Sequence, residues 1–384
     1  MRARRHGPFW KAAQAVRVGF YSPLPPARTG VADYSAALLE GLQRYGEVRI
    51  APRNSRGCDV ALYHLGNNSL HAAIYRQGLE QPGVAVLHDA VLHHFLLGVL
   101  DHKAYVEEFV YNYGAWNRAL ARELWHCRGA SASDSRYFQF PMIKRIAERS
   151  LAVIVHNPAA ARTVTAHAPH TPVVEIPHHF CPPEQPAEAA VARYRESLGF
   201  GAGNFVVGVF GYLRESKRLA AVLDVFGKLR RERPQTALLI AGAFVSPDLE
   251  RALGPLLAQP GIVYRPHLSE REFWLAAGAV DACINLRYPS AGETSAIAIR
   301  LMGMGKPVFL TESEECARFP RDACLRIASG LEERDSLWSH LVLLTSIPGV
   351  GRAIGGRGAA YIGAHHQLQQ VARQYWDTLC AYRG

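Results

Sequence analysis

The stretch ACINLRYPSAGETSAIAIRLMGMGKPVFL, residues 282–310, carries the reading of the fold. A short apolar run, Ala282–Leu286, is rich enough in β-formers to be a strand. It passes into a loop with a lone carboxylate, Glu293, and then into a helical pattern over Thr294–Gly303 that begins with small hydroxyl residues. Gly305-Lys306-Pro307 then stops that helix and turns the chain into a second apolar run, Pro307–Leu310. Strand, helix and strand in this order, with short connections, predict parallel pairing, because a crossover helix is the ordinary link between parallel neighbours.

Working outward, the same alternation fills the chain. In the first part, Val16–Tyr21, Val48–Ala51, Val60–Tyr63, Val84–Leu87, Leu151–Val155 and Pro172–Ile176 read as strands. Helical patterns lie over Val31–Tyr45 and near 68–78, 90–99, 103–127 and 158–167. The segment Pro182–Pro186 reads as a linker. The pattern then restarts with strands Phe205–Phe210 and Thr236–Ala241 and helices Lys217–Arg231 and Glu270–Ala277. Two α/β halves of similar size predict two Rossmann-like parallel-sheet domains facing a cleft. The expected division is a basic tail over 1–15, an N-terminal Rossmann-like domain over 16–181, a C-terminal Rossmann-like domain over 187–365, and a last helix over 366–384.

Composition narrows the class. The 384 residues are 49% hydrophobic and 20% charged, which excludes disorder and small disulfide scaffolds. No apolar run reaches the roughly 18 residues of a membrane span. Seven scattered cysteines without a CxxC pair read as reduced thiols of a cytoplasmic protein. Of the net charge of +10, residues 1–180 supply 20 basic against 13 acidic groups, a difference of +7. Such an excess suits an anionic partner, but it is spread out rather than striped, which argues against nucleic acid.

Three loops after strands carry the candidate chemistry. Ligands in parallel sheets bind beyond the carboxyl ends of strands, where helix N-termini offer free N–H groups and partial positive charge. The first loop, Ser22–Thr29, leads through Gly30 into a helix. The second, Gly211–Arg218, holds Arg214 and Lys217 around a helix start, with Ser216 as the expected N-cap. The third holds Glu293, Thr294 and Ser295. There a carboxylate can accept hydrogen bonds from sugar hydroxyls while adjacent amides face a phosphate. In the N-terminal half, His88-Asp89 follows a strand, with Asp89 read as a helix cap and His93 and His94 as helix-face residues. Tyr63 and Asn67, on the loop Tyr63–Asn68, are placed to touch an acceptor.

Together these stretches resemble the retaining GT-B glycosyltransferases of family 4. The shared features are an opening glycine loop, a histidine midway along the N-domain, a basic pair early in the C-domain, and a carboxylate segment ending in Gly-Lys-Pro-Val. The resemblance spans about residues 16–382 and includes a final helix that crosses back onto the N-domain. It implies that the N-terminal domain takes the acceptor and the C-terminal domain the nucleotide sugar. It also implies that His88 lines the donor-sugar pocket, that Lys217 and Arg214 face the diphosphate, and that Glu293 contacts the sugar. The chain departs from the pattern at two positions. Aligned on Gly305-Lys306-Pro307-Val308, the two usual glutamates fall at Gly292 and Arg300, so Glu293 replaces the first from one position away and the second is missing. Tyr212 also stands where an arginine is common.

No Asp-x-Asp, phosphate-binding P-loop, Gly-x-Ser-x-Gly or HExxH motif occurs. The expectation is a metal-independent transferase needing no cofactor, acting from a nucleotide-diphosphate sugar on a sugar, glycolipid or natural-product acceptor. A sugar-nucleotide epimerase and a non-catalytic sugar-nucleotide-binding protein remain open. The Arg/Phe/Trp segment at 1–15 is either a solvated tail or a contact with the inner face of an anionic membrane.

Overall fold

The computed structural model describes residues 16–27, 29–51 and 57–383; the basic segment 1–15 therefore lies outside the described residues. Among the described residues, twelve strands form two six-stranded sheets. The first holds β1 (Arg17–Tyr21), β2 (Glu47–Ile50), β3 (Val60–Leu65), β4 (Val84–Leu87), β5 (Ala152–Val155) and β6 (Val173–Glu175), in the order β2-β1-β3-β4-β5-β6. The second holds β7 (Phe205–Phe210), β8 (Thr236–Ala241), β9 (Ile262–Arg265), β10 (Ala282–Asn285), β11 (Val308–Thr311) and β12 (Leu325–Ile327), in the order β12-β11-β10-β7-β8-β9. Every pairing is parallel.

Parallel sheets covered on both faces need strands that are apolar at every position. In β4, Val84 and Val86 enter one core with Phe20, Leu38 and Ile154, while Ala85 and Leu87 enter the other with Phe95, Tyr105 and Phe109. The second sheet is built alike, with Val206 and Phe210 on one face and Val207 and Val209 on the other.

Strand order reverses between β1 and β3 in the first sheet and between β7 and β10 in the second. These are the switch points at which doubly wound sheets leave a crevice. The loops that flank them are Ser22–Thr29 and 66–68 on one side, and 211–218 and 286–295 on the other. Topology thus brings the sequence's candidate loops to the two crevices.

The chain crosses back at its end. The amide of Phe180 donates to the His366 carbonyl at 2.6 Å. The helix Leu368–Ala381 then buries Val371, Ala372, Tyr375 and Leu379 against Leu38 and Leu42 of the helix Gly30–Leu42. Tyr34 Oη donates to Tyr375 Oη at 2.9 Å inside this contact.

Several local expectations are corrected. The helix expected over 103–127 is two helices, His102–Tyr113 and Arg118–His126, separated at Gly114, whose φ of +90° ends the first. Ser216 caps nothing. It lies in a short 3₁₀ turn, and the following helix, Leu219–Glu232, starts after Arg218, which adopts the left-handed conformation with φ +59°. The helix expected from Thr294 begins at Ala296 and is capped by Ser295, whose Oγ accepts from Ala298 N at 3.2 Å. The sequence reading missed β9, β12 and the helices Glu188–Ser197, Pro247–Leu257, Glu333–Ser346 and Pro348–His365.

Candidate active site

The two crevices meet. Val91 N donates to Ala291 O at 2.9 Å, and Asn157 Nδ2 donates both to Gly292 O at 2.9 Å and to Thr294 Oγ1 at 3.0 Å. Thr294 Oγ1 in turn donates to His156 O at 3.2 Å. Gly292 is held at φ +75°, and a Cβ there would stand 2.7 Å from Ala90 Cβ. Glycine is therefore the residue that lets the loop after β10 lie flush against the loop after β4.

On the C-domain side, Lys217 is 7% exposed, and its ammonium donates to the Phe210 carbonyl at the end of β7. Burial, then the Arg287 and Arg214 charges, lower its pKa to about 7. Gly211, at φ +83°, lets Lys217 Nζ and the Ile297 side chain lie close above it, since a Cβ there would come 3.2 Å and 3.3 Å from them. Arg287 pairs with Glu293 and reaches Ser295 Oγ at 3.4 Å. Glu293 Oε2 also accepts from Ala291 N at 2.8 Å. Burial alone raises the Glu293 pKa, but the Arg287 guanidinium and the loop amides outweigh it and hold the carboxyl ionised. Arg287 Nε and Asn285 Oδ1 are buried without a partner. Both residues line a small cavity beside the start of the helix Ala296–Gly303.

The N-domain wall is made of histidines. His64, His88 and His156 stand at or just past the ends of the adjacent strands β3, β4 and β5. His64 Nδ1 and His88 Nε2 are 3.0 Å apart, and the His88 and His156 ring centroids are 5.0 Å apart. Tyr34 packs on His88 at 4.9 Å, on His178 at 4.5 Å and on His179 at 4.2 Å. Burial, then repulsion by the neighbouring rings, drives His64, His88 and His178 well below the ordinary histidine pKa. His88 is therefore a neutral ring, able to donate or accept but not to supply charge. Among the described residues no group of His, Cys, Asp or Glu is arranged to hold a metal ion.

The sequence-expected residues divide. Lys217, Glu293 and Ser295 gather on the C-domain side of the crevice and the exposed Arg214 carries charge toward Lys217 and Asp89, whereas His88 lies just past β4, buried among His64, Tyr34 and His156. Gly30 opens its helix with no atom within 4 Å of a would-be Cβ. Thr294 differs, because its hydroxyl is used to join the domains. Tyr63 is corrected: it is 1% exposed, stacks on Tyr21 at 4.9 Å, and donates its hydroxyl to Gln81 O at 2.9 Å. Its place on a fully buried strand puts the ring in the core rather than on an acceptor rim. Asn67 is occupied too, since Oδ1 accepts from Phe95 N at 2.7 Å at the start of the helix His93–Val99. Asp89 is no helix cap; its Oδ2 accepts from Asn67 N at 2.8 Å. His93 is a core residue, 2.7 Å from Tyr105 Oη. Arg300, standing for a usual glutamate, pairs with Glu270 and lies over Phe273 at 3.9 Å and Trp274 at 4.2 Å.

Sequence reasoning gave no role to Arg287, Asn157, His64 or His156. A histidine closing each of three neighbouring strands was visible in YHL, LHD and VHN, and that recurrence was the available signal.

With this geometry in hand, known proteins can be compared. No family model matches the chain, and no curated protein matches it. Among solved structures, sucrose-phosphate synthase from Thermosynechococcus elongatus superposes with a TM-score of 0.66 at 14% identity, covering 95% of this chain and 98% of that one. HepE from Anabaena, in complex with UDP and glucose, gives 0.66 at 14% identity over 95% and 100%. WaaG, a glycosyltransferase involved in lipopolysaccharide biosynthesis, gives 0.64 at 12% over 94% and 99%. The fold is GT-B. Near-complete cover in both directions means that the likeness runs over both domains rather than over a single Rossmann-like half.

Proposed function

We propose that this GT-B protein is a retaining glycosyltransferase of the family 4 type, moving a hexose from a nucleotide-diphosphate sugar to a hydroxyl of a sugar, glycolipid or natural-product acceptor. The observation that carries the reading is the convergence of Lys217, Arg214, Arg287 and the Ser295-capped helix start at one crevice, opposite the histidine wall of the other domain. That HepE was solved with UDP and glucose, on the same fold, supports it.

As the glycosidic bond breaks, negative charge grows on the departing diphosphate. Fixed cations and amide dipoles in a water-poor crevice stabilise that charge without reorganising. Lys217 and Arg214 serve the phosphates in this reading, with the amides near Ser295. Glu293, held ionised and in place by Arg287, accepts hydrogen bonds from the sugar hydroxyls through its remaining lone pairs. Neutral His88 packs or hydrogen-bonds against the sugar from the N-domain, and Gly30 leaves the donor room beside the first helix. The chain's own cations neutralise the diphosphate, so no metal or cofactor is required.

Calorimetry against UDP-, GDP-, ADP- and dTDP-sugars tests the reading. One of them should bind, and Lys217→Ala and Glu293→Ala should each lose turnover with it. Full turnover in both variants would remove the site assignment.

A further inference from the structure

We propose that Asp89 is the residue that receives the acceptor, its carboxylate taking a hydrogen bond from the reacting hydroxyl and holding that oxygen toward the donor sugar. The inference rests on the nucleotide-sugar reading of the cleft and assigns the group that the reading leaves open, on the acceptor side.

Asp89 occupies the middle of the crevice. It directly follows His88 at the end of β4, and the next two residues press on the C-domain, Ala90 against Gly292 and Val91 N on Ala291 O. Its Oδ2 is fixed by Asn67 N and lies near Gly66, where an added Cβ would be 3.4 Å from it. That same Cβ would be 3.4 Å from Val31 Cγ2, so the carboxylate stands beside the start of the first helix, next to Gly30. Among the described residues no group hydrogen-bonds Oδ1. The loops after β1, β3, β4 and β10 thus surround one carboxylate with a free oxygen, which is the arrangement expected of a group waiting for a polar ligand.

Its electrostatic setting fits a hydroxyl rather than a phosphate. The charges facing it are Glu293, Arg214 and Arg287 from the C-domain. On its own side His71 lies across Gly66 and His94 lies beyond Asn67, both rings held neutral by burial. Burial and then the Glu293 charge raise the Asp89 pKa to about 6, while Asn67 N, Arg214 and Arg287 oppose. A further anion near these two carboxylates is unfavourable, so phosphates belong on the Lys217 side and a neutral hydroxyl on the Asp89 side. In the transfer, the acceptor oxygen bonds to the anomeric carbon as the bond from that carbon to the diphosphate oxygen breaks. The electron pair leaves with the diphosphate, and the acceptor proton passes to that same departing oxygen. Asp89 orients the hydroxyl and keeps no proton.

The test uses the whole chain with UDP-glucose as donor and water, glucose and octyl glucoside as acceptors. It compares the wild type with Asp89→Asn and Asp89→Ala, both checked for an unchanged melting temperature. UDP-glucose affinity by calorimetry should stay within about twofold. UDP release should fall roughly 10²-fold in Asp89→Ala, the cost of losing orientation of a reacting group, and comparably in Asp89→Asn, whose one oxygen stays on Asn67 N while a donor NH2 replaces the free oxygen. Over the pH range in which the far-ultraviolet spectrum shows wild type and variants all folded, the wild-type rate should drop as pH falls toward about 6, because a protonated carboxyl donates where it should accept, and the rate of both variants should not follow that fall. Unchanged rates and the same pH limb in both variants overturn the assignment while leaving the transferase reading intact. Loss of UDP-glucose binding in the variants also overturns it, by moving Asp89 to the donor. A wild type that binds none of the sugar nucleotides sinks the transferase reading itself, and this inference with it.

Discussion

Acidification should unfold this protein through its histidines, and the size of the effect follows from their burial. His71, His156 and His179 are buried, and desolvation lowers each from 6.5 to about 4. In the unfolded chain they regain the ordinary value. A base with a depressed folded pKa contributes stability that is complete above the unfolded pKa and is lost as pH falls toward the folded one, because the unfolded state binds more protons. Between pH 7 and pH 5, each of the three should cost about 2 kcal/mol, roughly 6 kcal/mol together. His64, His88 and His178 are driven further down and act in the same sense. Asp89, raised to about 6, opposes them by only about 1 kcal/mol. Against a typical stability of about 5–15 kcal/mol, this loss is decisive. Urea unfolding followed by tryptophan fluorescence at pH 7, 6 and 5 should show the midpoint falling steeply below pH 6.5. A midpoint that stays constant from pH 7 to pH 5 would mean that the rings are not buried neutral against one another, and the account of the N-domain wall would fail.

Other perturbations are equally specific. Lys217→Ala should lower turnover about 10²–10³-fold through lost charge stabilisation. Because the Lys217 ammonium is held near 7, nucleotide binding should draw in a proton and weaken as pH rises from 7 to 9, readable as buffer-dependent binding enthalpy. Gly292→Ala forces a side chain into φ +75° and against Ala90. It should cost about 1–2 kcal/mol for the backbone alone and part the two loops, visible as a lower melting temperature and weaker donor binding. Tyr375→Phe leaves the Tyr34 hydroxyl buried without its partner and should destabilise by about 1–3 kcal/mol, measured by urea denaturation with the far-ultraviolet spectrum unchanged.

Much of the fold was legible because parallel strands are uniformly apolar and short. Phe205–Phe210, Thr236–Ala241 and Val84–Leu87 match the observed strands residue for residue. Elements that local pattern hides were missed. The helix Pro348–His365 carries six glycines and reads as loop by propensity. Packing explains two of them: a Cβ on Gly355 would come 1.9 Å from Gly305 O, and one on Gly358 would come 3.0 Å from Ala323 O. Close approach to the turn after the helix Ala296–Gly303 outweighs helix propensity there.

The amino-acid order by itself determined the alternation of strands and helices, and with it two parallel sheets whose switch-point loops carry Gly30, Lys217, Arg214 and Glu293. Those assignments rest on local periodicity and on residue type, which a single chain displays openly. Tertiary structure alone decided that Glu293 is clamped by Arg287, that Thr294 joins the domains through Asn157, that Tyr63 is spent in the core, and that Asp89 faces Glu293 across the crevice. Each of these depends on which side chains the folded chain brings into one low-dielectric space. Burial and charge proximity in that space set a group's ionisation and its free valences, and neither quantity exists until the chain has folded.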